Sequence, residues 1–267
     1  MEYGFENETN LSRVERALKE SARVPYNNAT VVYERSGLNP DPRMGGSCLY
    51  KLRVLSRLLP DGAQQKVIAS TAGKTTHYAL VAQVDGKEYY LDPFLWQSEL
   101  LNLEEPAGSE VDTLYNKWKI KIEESSDDSS LRISLIDTVS GNAMATHNFT
   151  DELSYIPKPS TLLVNQSLPS FMMQFVSKDG NGFYKVWYSK VEEKLADIWA
   201  TDPITGERKK VTRDGLNSDI RANVVADIEK MLTATEQEIV SYFAKAHELE
   251  KKLDTIPLGE VEKQHDH

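Results

Sequence analysis

Two apolar runs joined by Asp85-Gly86 restrict the fold of this chain more than any other feature of its sequence. Asp-Gly between such runs is a strong signal for a two-residue β-hairpin turn. Counting back from this turn puts Ala79 opposite Asp92, and the alternation of side chains puts His77 on the same face as Ala79. Because diagonal neighbours on a hairpin are within reach of each other, the sequence predicts an imidazole beside a carboxylate.

The other predicted elements do not alternate as a doubly wound fold requires. Helices are predicted at 10–22, from Cys48 to Pro60, at 220–232 and, after the capping box Thr235-Glu-Gln-Glu238, as far as Leu253. Strands are predicted at 117–123, 131–137, 171–175, 184–191, 196–200 and 209–212, with turns at 125–130 and 205–206. This order, helical first and then mostly strand before the last helices, favours an α+β protein.

Composition excludes several classes of protein. The formal net charge of −10 argues against nucleic acid as a partner. The sequence has neither an apolar run near the length of a membrane span nor a signal peptide, so we expect a cytoplasmic protein with no membrane partner. The single cysteine excludes an internal disulfide and a cysteine-rich zinc site, and no metal is expected.

That cysteine, Cys48, follows Gly45 and Gly46 and opens a predicted helix. A lone cytosolic cysteine is most often a small buried hydrophobe. A helix N-terminus and a neighbouring imidazolium, however, lower the pKa of a thiol. The glycines are expected to leave room for a substrate carbonyl and to expose backbone N–H groups that could stabilise an oxyanion. Together with His77 and Asp92, Cys48 completes a nucleophile, a base and an orienting group.

The remaining histidines are interpreted without a catalytic role. His147 is expected at the surface at the end of a strand, and His247 on a charged helix. The tail 265–267 is expected to be solvated.

At these residues the sequence resembles the arylamine N-acetyltransferase family. The segment 43–48, Arg-Met-Gly-Gly-Ser-Cys, resembles that family's Arg-Gly-Gly-x-Cys motif with one residue inserted. His77 and Asp92 are fifteen residues apart, as in the family. The segment 26–29 stands where the family has Phe-Glu-Asn-Leu, and 165–171 is similar to a later Asn, Ser-x-Pro and Ser-Phe pattern.

The resemblance implies a fold and a chemistry. The fold would be a cysteine-protease-like core with a helical domain bearing the cysteine (1–70), a β-barrel bearing His and Asp (71–170), and an α/β lid with terminal helices (171–267). The chemistry would be ping-pong transfer from an acyl-coenzyme A co-substrate to a small-molecule amine, with no bound cofactor. Cys48 would be the nucleophile, His77 the base and Asp92 the orienting residue.

Departures from the family bear on the substrate. Tyr50 and Leu52 replace the Glu and Asn that usually follow the cysteine, and Pro-Phe-Leu-Trp at 93–96 replaces Val-Gly-Phe-Gly. Phe94 and Trp96 would therefore narrow the acceptor pocket, or else be core residues of a rerouted loop. The candidate substrate contacts are Tyr26, Gly46, Phe94, Trp96 and Phe171.

Three functions stay open at this point. The first is an acyl-coenzyme A:amine N-acyltransferase. The second is an amide synthase or another thioester-consuming enzyme of a biosynthetic pathway, with a bulkier donor or one bound to a carrier protein. A cysteine hydrolase belongs with this second function by its chemistry. The third is a non-catalytic binding protein on the same scaffold.

Overall fold

The computed structural model describes residues 8–72, 75–125, 130–157, 170–201, 208–212 and 218–253. Its contacts group the chain into two compact units, 1–23 with 48–156, and 24–47 with 157–267. The expected three-domain division at 1–70, 71–170 and 171–267 stays a prediction. None of the helices among the described residues is long and apolar enough to span a lipid bilayer.

Two amphipathic helices of the first unit, α1 (Asn10–Arg23) and α3 (Cys48–Leu58), pack against each other. Their buried side chains recur every three or four residues, which brings them to one face of each helix. Those side chains are Val14, Ala17, Leu18, Ser21 and Ala22 on α1, and Leu49, Lys51, Leu52 and Leu55 on α3. Each fully buried leucine contributes about 1.5–3 kcal/mol. The only charged side chain in this set is that of Lys51.

The rest of the first unit is an eight-stranded antiparallel sheet in the order β5-β4-β3-β2-β9-β8-β7-β6. The strands are β2 (Gln64–Ala72), β3 (Thr75–Val84), β4 (Lys87–Leu91), β5 (Leu101–Asn102), β6 (Glu110–Asp112), β7 (Trp118–Glu123), β8 (Leu131–Asp137) and β9 (Ala143–Leu153). The two edges of this sheet, at β5 and β6, approach each other. There the Ser98 N–H donates to the Asp112 carbonyl and the Leu114 N–H donates to the Trp96 carbonyl. The sheet is therefore a nearly closed, barrel-like structure.

The hairpin of β3 and β4 has the register predicted from its turn. Leu80 pairs with Leu91 and Val84 with Lys87. Asp85 and Gly86 have φ of 51° and 82°, as a two-residue turn of this hand requires.

The second unit contains a five-stranded antiparallel sheet in the order β1-β10-β11-β12-β13. Its elements are β1 (Tyr26–Asn27), α2 (Thr30–Arg35), a 3₁₀ turn (Pro42–Met44), β10 (Ser170–Val176), β11 (Phe183–Ser189), β12 (Lys194–Thr201), β13 (Arg208–Thr212), α4 (Ser218–Leu232) and α5 (Glu236–Leu253). Strand β10 alternates buried and half-buried residues, and its Phe171 stacks on Phe243 of α5 at 6.0 Å between ring centroids. The unit thus has its own apolar core.

The mixed helix and strand content agrees with the predicted α+β class. The capping box is confirmed, because the Thr235 N–H donates to Glu238 at 2.8 Å and the Glu238 N–H to the Thr235 hydroxyl at 3.2 Å. Two long strands, β2 and β9, were not predicted. The predicted turns at 205–206 and, in part, at 125–130 lie outside the described residues, as do 165–169 and the tail 265–267.

Candidate active site

The β3-β4 hairpin brings His77 and Asp92 into direct contact. Asp92 directly follows β4, and its carboxylate oxygen Oδ2 accepts a hydrogen bond from His77 Nε2 at 2.6 Å. The Asp92 side chain is fully buried and that of His77 is 9% exposed. The predicted neighbourhood of imidazole and carboxylate is therefore present, shielded from water on the Asp92 side.

Several hydrogen bonds hold the Asp92 carboxylate in one orientation. The Tyr90 hydroxyl donates to Oδ2 at 2.8 Å, while the backbone N–H groups of Phe94 and Leu95 donate to Oδ1 at 2.9 and 3.3 Å. Burial by itself raises the pKa of the Asp92 carboxyl. The charge of His77 and the hydrogen bonds from His77 and Tyr90 lower this pKa by more than burial raises it, so the net shift is downward. Asp92 is thus ionised at neutral pH.

Gln97 stabilises the same turn through three side-chain hydrogen bonds. Its side-chain oxygen accepts the Asp92 N–H at 2.7 Å, and its amide group donates to the carbonyls of Tyr90 and Glu99, both at 2.8 Å. Gln97 is completely buried, so its amide has no competition from water. Neither Tyr90 nor Gln97 was predicted as a site residue, although Tyr90, two residues before Asp92, shares its face of the strand by alternation.

Cys48 opens α3 as predicted, and α3 packs on β3, the strand that carries His77. The thiol is half-buried. Burial raises its pKa to about 11, the N–H of Leu49 opposes this rise, and the negative charge of Asp92 adds to it. The expected lowering of the Cys48 pKa is therefore wrong for this structure, because desolvation outweighs the helix N-terminus. A nucleophilic Cys48 needs a base to take its proton.

The two glycines before Cys48 are closely packed. The Gly46 N–H donates to the Pro25 carbonyl at 2.9 Å, and the Gly45 N–H to the Pro42 carbonyl at 3.2 Å. Gly45 has φ of +72°, and a Cβ there would lie 2.0 Å from the Pro25 oxygen. The expectation that these residues expose oxyanion donors is wrong, because both N–H groups donate to backbone carbonyls; at Gly45, Pro25 also fills the space that a side chain would need.

The aromatic residues after Asp92 take different positions. Phe94 is half-buried, with its ring centroid 5.0 Å from that of His77. Trp96 is only 4% exposed and lies 5.7 Å from the Trp118 ring, so it is a core residue. Its φ of +55° is in the left-handed region, where a residue with a Cβ costs about 1–2 kcal/mol.

The other predicted substrate contacts belong to the second unit. Tyr26 lies in β1, where it pairs with Gln174, and forms an isolated bridge with Gly46. Phe171 is 2% exposed, with the Lys190 ammonium 4.2 Å from its ring centroid. Contact of these residues with a substrate stays a prediction.

The structure corrects the interpretation of His147. This residue lies inside β9, is half-buried, and has its ring centroid 4.2 Å from that of His77. Burial, followed by the charge of His77, lowers its pKa to about 4. Its Nδ1 is buried and has no hydrogen-bond partner among the described residues. His147 is therefore a neutral neighbour of His77 and lies in the sheet interior.

The reason that His147 reaches His77 is the intervening strand β2. Ser70 of β2 pairs with His77 on one side and with Phe149 of β9 on the other. His147 is two residues from Phe149, so it lies on the same face of the sheet. Without β2, the sequence offered no way to join the two histidines.

A buried lysine was also missed. Lys51 of α3 has no solvent exposure, and burial lowers its pKa to about 7 while the charges of Asp92 and Cys48 oppose this shift. Its helical spacing from Cys48 on α3 was visible in the sequence, but its burial was not.

Within the part of the chain that the structure describes, no group of three or more His, Cys, Asp or Glu side chains could hold a metal ion. The groups gathered around His77 suit proton transfer. A carboxylate fixes one imidazole nitrogen and leaves Nδ1 to exchange a proton with a thiol.

Comparison with solved structures shows the same fold in acetyltransferases. Arylamine N-acetyltransferase C from Bacillus anthracis matches with a TM-score of 0.56 and 11% identity, over 86% of this chain and 93% of that chain. An arylamine N-acetyltransferase from Bacillus cereus, described as having a unique Cys-His-Glu catalytic triad, matches with a TM-score of 0.56 and 9% identity, over 87% and 94%. A scan of protein-family models and a search of curated proteins each found no match. At this identity, the chain shares the fold of the arylamine N-acetyltransferases.

Proposed function

We propose that this chain is an N-acyltransferase that carries its acyl group on Cys48, with His77 as the base and Asp92 as the orienting residue. The observation that carries the proposal is the buried 2.6 Å contact between His77 Nε2 and Asp92 Oδ2. It occurs in a fold shared with arylamine N-acetyltransferases.

The proton roles follow from the hydrogen bonds. Asp92 accepts the Nε2 proton of His77, so the lone pair of the neutral ring is on Nδ1. Because the pKa of the Cys48 thiol is raised to about 11, the thiol is protonated at neutral pH unless a base takes the proton. His77 Nδ1 is the base we assign, and the ionised Asp92 stabilises the imidazolium that forms.

The reaction has two halves. In the first, Cys48 Sγ attacks the carbonyl carbon of an acyl-coenzyme A thioester, His77 takes the thiol proton, and the donor's carbon–sulfur bond breaks. The leaving coenzyme A thiolate takes that proton from His77. In the second, an amine attacks the acyl-cysteine, His77 takes the amine proton and returns it to Cys48 Sγ, and the amide leaves. No bound cofactor is required by this scheme.

The acceptor we propose is a small-molecule amine, which must reach an acyl group beside the His77 ring. Phe94 is half-buried against that ring and is the aromatic residue that would shape this side of the site. Trp96, by contrast, lies in the core and is not assigned a contact with the acceptor.

A non-catalytic binding protein is the second candidate. Two observations favour it: burial raises the pKa of the Cys48 thiol, and the N–H groups of Gly45 and Gly46 are bonded to backbone carbonyls. On this alternative the three residues persist on the scaffold without acting on a thioester.

Intact-mass spectrometry after brief incubation with acetyl-, malonyl- and longer acyl-coenzyme A separates these candidates, with Cys48→Ala as the control. A donor-specific mass gain that requires Cys48 and disappears when an amine is added supports ping-pong transfer and identifies the donor class.

Absence of any gain, with Cys48 still reactive toward iodoacetamide, contradicts a coenzyme A donor and leaves the carrier-bound thioester of an amide synthase. An unreactive Cys48 at neutral pH supports the non-catalytic alternative.

A further inference from the structure

Lys51 is a completely buried lysine one helical turn after Cys48. Lysine is almost never fully buried unless its charge is paired. Among the described residues no carboxylate lies within ion-pair distance of the Lys51 ammonium. A buried amine without a salt bridge lowers the free energy of unfolding. Because Lys51 destabilises the fold in this way, we expect its position to serve a function.

Two contacts fix the ammonium group. Lys51 Nζ donates to the Ala22 carbonyl of α1 at 3.0 Å, and it lies 5.2 Å from the centroid of the Trp96 ring. The last turn of α1 thus supplies a free carbonyl, and the aromatic face of Trp96 favours a cation. This also gives Trp96 a role in the interior: it covers Lys51.

The charges that act on Lys51 are those of Asp92 and Cys48, and both favour its protonated form. The surrounding elements contribute further groups: β3 carries His77, which bonds Asp92, and Tyr78, which interacts with Cys48, while Arg53 of α3 also acts on Cys48. Lys51 is therefore electrostatically linked to two members of the proposed triad.

We propose that Lys51 is a positioning residue whose buried ammonium, held by the Ala22 carbonyl beneath Trp96, stabilises the thiolate of Cys48 next to the negative Asp92. This inference rests on Cys48 being the nucleophile of the proposed function.

Cys48 and Lys51 are three residues apart on α3, which makes them neighbours on one side of the helix. An ammonium group in that position favours the thiolate over the neutral thiol. Without this cation, a thiolate would form in a buried site near the Asp92 carboxylate, and only His77 and the half-buried Arg53, among the groups named above, would oppose the two negative charges. Because burial lowers the pKa of Lys51 to about 7, the stabilisation weakens as the pH rises above neutrality.

The test is the pH dependence of Cys48 alkylation by iodoacetamide, followed by mass spectrometry, in Lys51→Gln and Lys51→Arg. Gln keeps a donor for the Ala22 carbonyl but loses the charge, whereas Arg keeps the charge. Arg57→Gln removes one positive charge from an exposed position of the same helix and is the matched control.

We expect Lys51→Gln to move the alkylation midpoint upward by about one pH unit, with roughly tenfold slower alkylation below it. Arg57→Gln should stay close to the wild type, and Lys51→Arg should have a midpoint equal to or below that of the wild type, because the guanidinium keeps its charge above neutral pH. Equal midpoints in Lys51→Gln and wild type, with the same far-ultraviolet circular dichroism, would overturn the proposal.

A second measurement does not require a folded Lys51 variant. The Lys51 side-chain amine is titrated by NMR in Cys48→Asp, which places a negative charge at position 48 at neutral pH, and in the uncharged Cys48→Asn. The proposal predicts a higher Lys51 pKa in Cys48→Asp than in Cys48→Asn, and equal values contradict it. Neither readout depends on acyl transfer, so an enzyme that acylates Cys48 without these shifts refutes the role of Lys51 alone.

Discussion

The hairpin that carries His77 and Asp92 and the helix that carries Cys48 and Lys51 treat buried charge in opposite ways. In the hairpin, the carboxylate of Asp92 is fully buried and its pKa is nevertheless lowered, because hydrogen bonds and His77 stabilise the charged form. In the helix, burial raises the pKa of the Cys48 thiol and lowers that of the Lys51 ammonium. Both groups of α3 are thereby driven toward neutrality.

This difference indicates that the hairpin and the helix have different electrostatic roles in the site. The hairpin holds a permanent negative charge with local hydrogen bonds, most of them within 90–97. The helix holds groups whose charges appear only when a proton moves. The proposed reaction therefore depends on proton transfer between these two elements, and the stability of each element depends on a different set of contacts.

The largest expected effect comes from Asp92→Asn. Loss of the carboxylate removes the group that fixes the His77 tautomer, and we expect the rate of Cys48 acylation to fall by about 10³–10⁴-fold. The rate is measured by single-turnover mass spectrometry. Asp85→Asn, in the turn of the same hairpin, loses the same charge and should change the rate less than twofold. Equal effects of the two substitutions would refute the orienting role.

Gly45→Ala tests whether the segment before the helix is held by packing. The added Cβ would lie 2.0 Å from the Pro25 oxygen at a φ of +72°, and we expect the free energy of unfolding to fall by about 3–5 kcal/mol. Gly62→Ala has a similar positive φ of +91° but open space, and should cost about 1 kcal/mol. Urea denaturation measures both. Equal losses would show that the positive φ alone, and not the contact with Pro25, accounts for the loss of stability at Gly45.

Lys51→Met is expected to stabilise the fold. Between pH 7 and 10.5 the unfolded chain holds a proton on Lys51 that the folded chain does not, so the folded state gains stability as the pH rises. The gain from Lys51→Met should therefore be largest below pH 7, on the order of 2–4 kcal/mol, and vanish toward pH 10.5. Urea denaturation across this pH range measures it, with Arg57→Met as the control. A pH-independent difference would contradict a buried ammonium.

The smallest effect is expected from Tyr90→Phe. Removing the hydroxyl takes one hydrogen bond from a buried carboxylate, which should lower the free energy of unfolding at pH 7 by about 1.5–3 kcal/mol. Since the pKa of Asp92 is lowered in the folded state, the difference should shrink as the pH falls and Asp92 is protonated. Tyr89→Phe, on the opposite face of β4, serves as the control, and an equal loss there would refute the assignment.

The same contrast explains what could be predicted from the sequence. The register of the hairpin and the contact of His77 with Asp92 depend on one local turn, Asp85-Gly86, so they were predictable. The start of α3 at Cys48 was likewise visible from a local pattern of glycines and leucines.

What could not be predicted depends on distant parts of the chain. His147 approaches His77 because β2 pairs with β9, and no short sequence pattern predicts this pairing. The pKa of Cys48 was predicted in the wrong direction, because burial is a property of the folded molecule and a helix start is a property of the sequence. The burial of Lys51 was missed for the same reason.

The role of His77 as the base is tested most directly by the pH dependence of Cys48 alkylation in the wild type and in His77→Ala. We expect the wild-type thiol to react at neutral pH because His77 takes its proton, and the thiol of His77→Ala to react only as the pH approaches 11. Superimposable profiles from two folded proteins would contradict this role, because Cys48 would then lose its proton without the help of His77.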